Sequence, residues 1–243
     1  MSTPSETVTA PGPETETVSP NLRPARLSGA LSVALALGAV ASLGASDATP
    51  ALAVEALGLA ALVGGLALRR DRSRVGGAAI AVVGVGVVLG AVAFVWVATR
   101  DLLAILQFAP GMVGALALTL GVAPLRGRGS RRLVKAGTAL VFLSVLAAAV
   151  VRKPALAPLL TGGVATVLAW DLGENAIGIG AQLGRRAETT QVELAHGLGS
   201  VAVGAAAFVT GRAVDGVGTP GLPLDVFALL LIGLVLLAGA LHD

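Results

Sequence analysis

The chain has 243 residues, of which 55% are hydrophobic, 33 are Gly and only 13% are charged. A water-soluble domain of this size carries about a quarter charged residues, so the composition, with mean hydropathy +0.88, excludes a soluble globular protein. The absence of Cys excludes disulfides, thiolate metal sites and a cysteine nucleophile, and a formal charge of +3 spread over short clusters excludes the contiguous basic face that nucleic acid requires.

Residues 1–26 are rich in Ser, Thr, Pro and Glu and cannot bury enough apolar surface to offset the entropy of ordering, which predicts a disordered tail preceding a transmembrane helical domain over 27–243. Glu6, Glu14 and Glu16 set the tail apart from a signal peptide, although a cleavage-like stretch, Leu43-Gly44-Ala45-Ser46, follows the first apolar run. From Leu27 onward, apolar runs alternate with short polar breaks. A helix needs about 20 residues to cross about 30 Å of hydrocarbon, and eight runs qualify: 27–46, 50–68, 75–99, 102–125, 134–151, 155–174, 194–211 and 222–241. The fifth and seventh are short and would lean on snorkelling Lys or Arg.

The basic residues predict direction. Arg23 and Arg26, then Arg69, Arg70, Arg72 and Arg74, then Arg126, Arg128, Arg131, Arg132 and Lys135, then Arg185 and Arg186 fall on one side. Arg100, Arg152, Lys153 and Arg212 fall on the other. This asymmetry predicts an all-α, polytopic transmembrane helix bundle of about eight spans in four hairpins, in the cell membrane with both termini cytoplasmic. Pro50-Ala51-Leu52-Ala53 and Pro154-Ala155-Leu156-Ala157, each followed by a Gly-Gly pair, fit either a hairpin duplication or chance. Small-residue pairs such as Gly86 with Gly90, Gly38 with Ser42, Ala60 with Gly64 and Gly180 with Gly184 suit close helix packing.

Acidic residues inside apolar runs are costly and mark functional candidates. Asp225 follows Pro223 at a helix start, where the free amides favour a carboxylate. Glu55 reads either as an interfacial or interhelix hydrogen-bonding group or as a substrate or proton site. The segment 170–186 breaks the apolar pattern most strongly. On a helix, Asp171, Glu174, Asn175, Gln182 and Arg185 form one polar stripe opposite Leu172, Ala176, Ile179 and Leu183. Helix six either ends near Asp171 and continues along the interface, as Trp170 favours, or slides inward so that Asp171, Glu174 and Asn175 face a polar cavity.

Glu193 and His196 share a helix face, but the chain has only one other His, His242, too few for a di-iron bundle with two Glu-x-x-His pairs. A single metal on His196 with Asp171, Glu174 or Glu193 is one reading; the other has Glu193 and His196 hydrogen-bonding to the stripe of helix six across the turn, which leaves no metal or cofactor. No HExxH or phosphate-loop pattern occurs, and Ser200 has no base beyond His196, so no enzymatic activity is expected.

Trp170-Asp171-x-Gly173-Glu174-Asn175-Ala176, Gln182-x-Gly184-Arg185 and Val192-Glu193-Leu194-x-His196 resemble an uncharacterised multi-pass membrane protein family of halophilic archaea. The resemblance implies genes for MoxR-type AAA ATPases and von Willebrand-like partners nearby, and no reaction. The expected function is a non-enzymatic scaffold or accessory subunit of a membrane complex. Its docking stripe is Asp171, Glu174, Asn175, Gln182, Arg185, Arg186, Glu193 and His196, and its partners are the lipid bilayer and MoxR-associated proteins. The alternative is a proton- or cation-coupled transporter or channel with Glu55, Asp171 and Glu174 along its path.

Overall fold

A computed structural model describes residues 23–44, 49–125, 128–183 and 190–216. They form seven helices: α1 Arg26–Ala41, α2 Thr49–Asp71, α3 Arg74–Thr99, α4 Leu102–Val122, α5 Arg131–Val151, α6 Leu156–Leu183 and α7 Thr190–Gly216. Six of them, α2 to α7, are long and apolar enough to cross a membrane. The eighth run, 222–241, with Asp225, lies outside the described residues.

The polar breaks end and start these helices by capping. The Ser73 hydroxyl accepts from Gly76 N–H at the start of α3, Asp101 from Leu103 N–H at α4, and Ser130 from Leu133 N–H at α5, each satisfying one of the free amides of a first turn. α5, capped by Ser130, and α7 reach 21 and 27 residues by taking in polar flanks, and neither is short as expected. The first run is shorter than expected. Its helix spans 16 residues, about 24 Å at 1.5 Å per residue, before Gly44 turns left-handed with φ 63°.

Hairpins α2/α3 and α4/α5 pack most closely, α1 lies chiefly along α6, and α6 also meets α5 and α7. The bulkiest part of the buried centre comes from α1, α2 and α4, including Val40, Leu59, Leu62, Phe108, Met112 and Leu118. Half of the α4 span is buried and only 11% of α7.

Glycines set the helix separations, but of the packing pairs that the sequence singled out only Gly180 makes a close approach among the described residues. A Cβ on Gly65 would collide with the backbone nitrogen of Ala81 and one on Gly84 would lie 2.5 Å from Leu62 N, while Gly114 and Gly137 each face the other's carbonyl at 2.5 and 2.6 Å. Gly38, Gly64, Gly86 and Gly90 face open space, and Gly184 lies outside the described residues. Lipid and neighbouring helix are equally apolar, so four-residue spacing leaves open which face turns inward.

Helix six does not stop at Asp171. α6 runs unbroken for 28 residues, about 42 Å, and its polar stripe faces α1, α5 and α7.

Candidate functional site

The stripe of α6 meets three other helices, with a different partner for each of Asp171, Glu174 and Asn175. Asp171 Oδ2 lies 2.9 Å from His196 Nε2 and accepts from the Ser200 hydroxyl at 2.5 Å, joining α6 to α7. Glu174 Oε2 pairs with Arg131 at 3.1 Å, joining α6 to α5. Asn175 Nδ2 donates to Ser28 Oγ at 3.4 Å, joining α6 to α1. Ser32 Oγ adds a bond to the Ala169 carbonyl at 2.5 Å, and Ala25 N–H reaches Ala176 O at 2.8 Å.

Glu193 turns to α1. Ala25, the N-cap of α1, supplies no side-chain acceptor, so Ser28 N–H in the first turn would be left over; Glu193 Oε2 accepts it at 2.7 Å from α7. The carboxylate sits almost wholly buried, 4% exposed, against the positive end of that helix. The expected link from His196 to the α6 stripe is present in its bond to Asp171.

Gly173 and Gly180, one heptad apart on α6, let this happen. A Cβ on Gly180 would collide with the Arg23 carbonyl oxygen, and one on Gly173 would stand 3.0 Å from Ser32 Oγ, so α1 and its lead-in cross α6 backbone to side chain.

Chemically the cluster is a set of interhelix fasteners. Ser200 and His196 bind the same Asp171 oxygen, and the second acceptor of Ser200 is His196's own carbonyl, so the imidazole is not placed to take the hydroxyl proton. Glu174 and Glu193 are directed to Arg131 and Ser28, away from the His196–Asp171 pair, and no three metal-ligating side chains converge among the described residues. Gln182 is exposed at the end of α6; Arg185 and Arg186 lie outside the described residues.

Glu55 stands apart from this cluster. It is 0% exposed, and neither carboxylate oxygen has a hydrogen-bond partner among the described residues, so the interhelix bond expected on one reading is not made there. Gln107 of α4 is equally buried, with both amide atoms unpartnered. The sequence pattern does not single out Gln107, Ser28, Arg131 or Ser200 as partners in these contacts. Gln107 is discoverable as the only amide in the α4 run, and Ser200 as the hydroxyl one turn beyond His196.

A family model for DUF7519, a family of unknown function, matches residues 85–238. The chain belongs to that family. No curated protein and no solved structure matches it. The DUF7519 match takes in Gln107 and the whole α6–α7 cluster and begins after Glu55.

Proposed function

We propose that this DUF7519 protein is a non-enzymatic scaffold or accessory subunit of a membrane complex, with eight spans in four hairpins and both termini cytoplasmic. Its docking surface is the α5–α6–α7 end, carrying Asp171, Glu174, Asn175, Gln182 and His196 and braced by the buried Glu193, with Arg185 and Arg186 as further contacts, and its partners are MoxR-type ATPase-associated proteins, as the resemblance of the 170–196 motif to a halophilic archaeal family suggests. One observation carries the reading: segments from four distant parts of the chain are tied by hydrogen bonds and ion pairs into a fixed polar surface that stays partly open, with Asp171 37%, His196 40% and Arg131 59% exposed. A preorganised surface of this kind binds without first ordering its own side chains.

A path from Glu55 to Asp171 and Glu174 has less support. Both stripe acids are engaged by His196, Ser200 and Arg131, and a depression along α5 is lined only by Ala136, Ala139, Leu140, Phe142, Leu143 and Leu146.

The test places a photocrosslinking amino acid at Gln182 in native membranes. A crosslink to a second polypeptide is expected, with loss of co-purification in His196→Ala and Glu174→Ala variants that still fold. Absence of any crosslinked polypeptide overturns the docking reading.

A further inference from the structure

α5 carries three cations within its first five residues, Arg131, Arg132 and Lys135, and no acid in its first turn. A helix start is already the positive end of the peptide dipole, so cations gathered there are disfavoured unless an anion joins them. Glu174 answers Arg131 at 3.1 Å. Arg132 and Lys135 are exposed, and neither side chain makes a hydrogen bond or an ion pair among the described residues.

Helical register sets both of these cations over one apolar depression. It measures about 540 Å³, is open to the outside of the bundle, and is lined by Ala136, Ala139, Leu140, Phe142, Leu143 and Leu146. Arg132 precedes Ala136, Ala139 and Leu143 by four, seven and eleven residues, and Lys135 stands in the same relation to Ala139, Phe142 and Leu146, so each cation heads a row of side chains along the depression. The face of α5 turned into the bundle is the other one, where Val134, Gly137, Val141 and Val145 are buried. From Ala136 to Leu146 the helix rises about 15 Å, half of a hydrocarbon layer of about 30 Å and so the depth of one leaflet. An apolar slot one leaflet deep, headed by two unanswered cations, is complementary to an anionic amphiphile. A bare anion would use the charges and leave the slot, and a neutral lipid would use the slot and leave the charges.

We propose that α5 binds one anionic phospholipid, with its phosphate on Arg132 and Lys135 and one acyl chain in the depression beside them. The site lies outside the Asp171–Glu174–His196 cluster and uses none of its residues. Arg132 presents a planar pair of N–H groups to two phosphate oxygens, and Lys135 adds a compact charge. Side chains on a helix tilt toward its start, which carries both charged ends to the headgroup level while their methylene stems stay on the apolar surface. The phosphate there also meets the positive end of the α5 dipole.

Native mass spectrometry of the full chain in detergent, with phosphatidylglycerol or phosphatidylcholine of identical acyl chains added, reads this site directly. One retained phosphatidylglycerol per chain is expected, with phosphatidylcholine held roughly tenfold more weakly. Arg132→Gln and Lys135→Gln should each weaken phosphatidylglycerol binding by roughly tenfold, the effect of losing one charge-assisted bond. Ala139→Phe fills the depression, keeps both charges, and should weaken binding by a similar factor. Arg72→Gln removes an exposed cation from the α2–α3 turn and should leave the affinity in place. All four positions are exposed, and thermal melts without added lipid identify the variants that remain folded. Binding that Ala139→Phe leaves unchanged, or that glycerol phosphate displaces as well as the whole lipid does, belongs to a phosphate group alone and overturns the proposal. Equal affinity for the two lipids, or a loss in Arg72→Gln equal to that in Arg132→Gln, overturns it as well.

Discussion

Gly180 shows how much a single position decides in a chain with so little side-chain bulk. The Arg23 carbonyl occupies the space that its Cβ would take, and the Ala25 N–H bond to Ala176 depends on that approach. Gly180→Ala is expected to lift the lead-in off α6, costing about 1–3 kcal/mol and exposing the Arg23 region to trypsin in the detergent-solubilised protein. Unchanged proteolysis would show that the crossing is not made. Glu193 is a second such residue. Glu193→Ala removes the acceptor for Ser28 N–H and should lower stability by about 1–2 kcal/mol in fluorescence melts, whereas loss of a surface charge would leave the melt in place. Its polarity is legible in the sequence, and its partner is not. Glu193 and His196 share a helix face, yet one reaches α1 and the other α6, because α1 and α6 pack against each other and α7 lies within reach of both.

Among the helices, packing follows backbone approach. Gly58 and Gly65 of α2 meet the backbone of Gly77, Ala81 and Gly84 of α3 at separations that admit no Cβ without displacement, and Gly114 meets Gly137 in the same way between α4 and α5. In lipid such contact replaces the hydrophobic drive that water would supply. Gly65→Leu and Gly114→Leu should each destabilise the folded state by about 1–3 kcal/mol, while Gly86→Leu, facing open space, should change it by no more than about 0.5 kcal/mol, as thermal melts in detergent would read. Equal effects at Gly65 and Gly86 would contradict this arrangement. The sequence announces that glycine matters here without marking which ones, because helices apolar all round have no polar face to mark the outside.

For the whole molecule, direction in the membrane rests on charge. The absence of Cys makes a clean test possible. Arg72→Cys and Arg128→Cys are expected to resist an impermeant maleimide in intact cells and react after permeabilisation. Leu102→Cys and Lys153→Cys should react from outside. A reversed pattern would invert the topology, and reaction of all four in sealed cells would remove it. The two turns expected outside are joined by Arg152 and Asp101 at 3.7 Å, a pair more than 40% exposed on both sides and so of little energetic weight.

The sequence by itself determined the class, the membrane-crossing lengths of six helices and the polar segment after Trp170, because these follow from the cost of burying charge and backbone in hydrocarbon. Tertiary structure decided the rest. It turned the α6 stripe inward onto α1, α5 and α7, gave Glu193 to the start of α1, and left the side chains of Glu55 and Gln107 buried without hydrogen-bond partners among the described residues. Hydropathy measures how readily a segment enters lipid. It carries no term for which neighbour a side chain will meet there, and that depends on helix order and on the few glycines that let backbones touch.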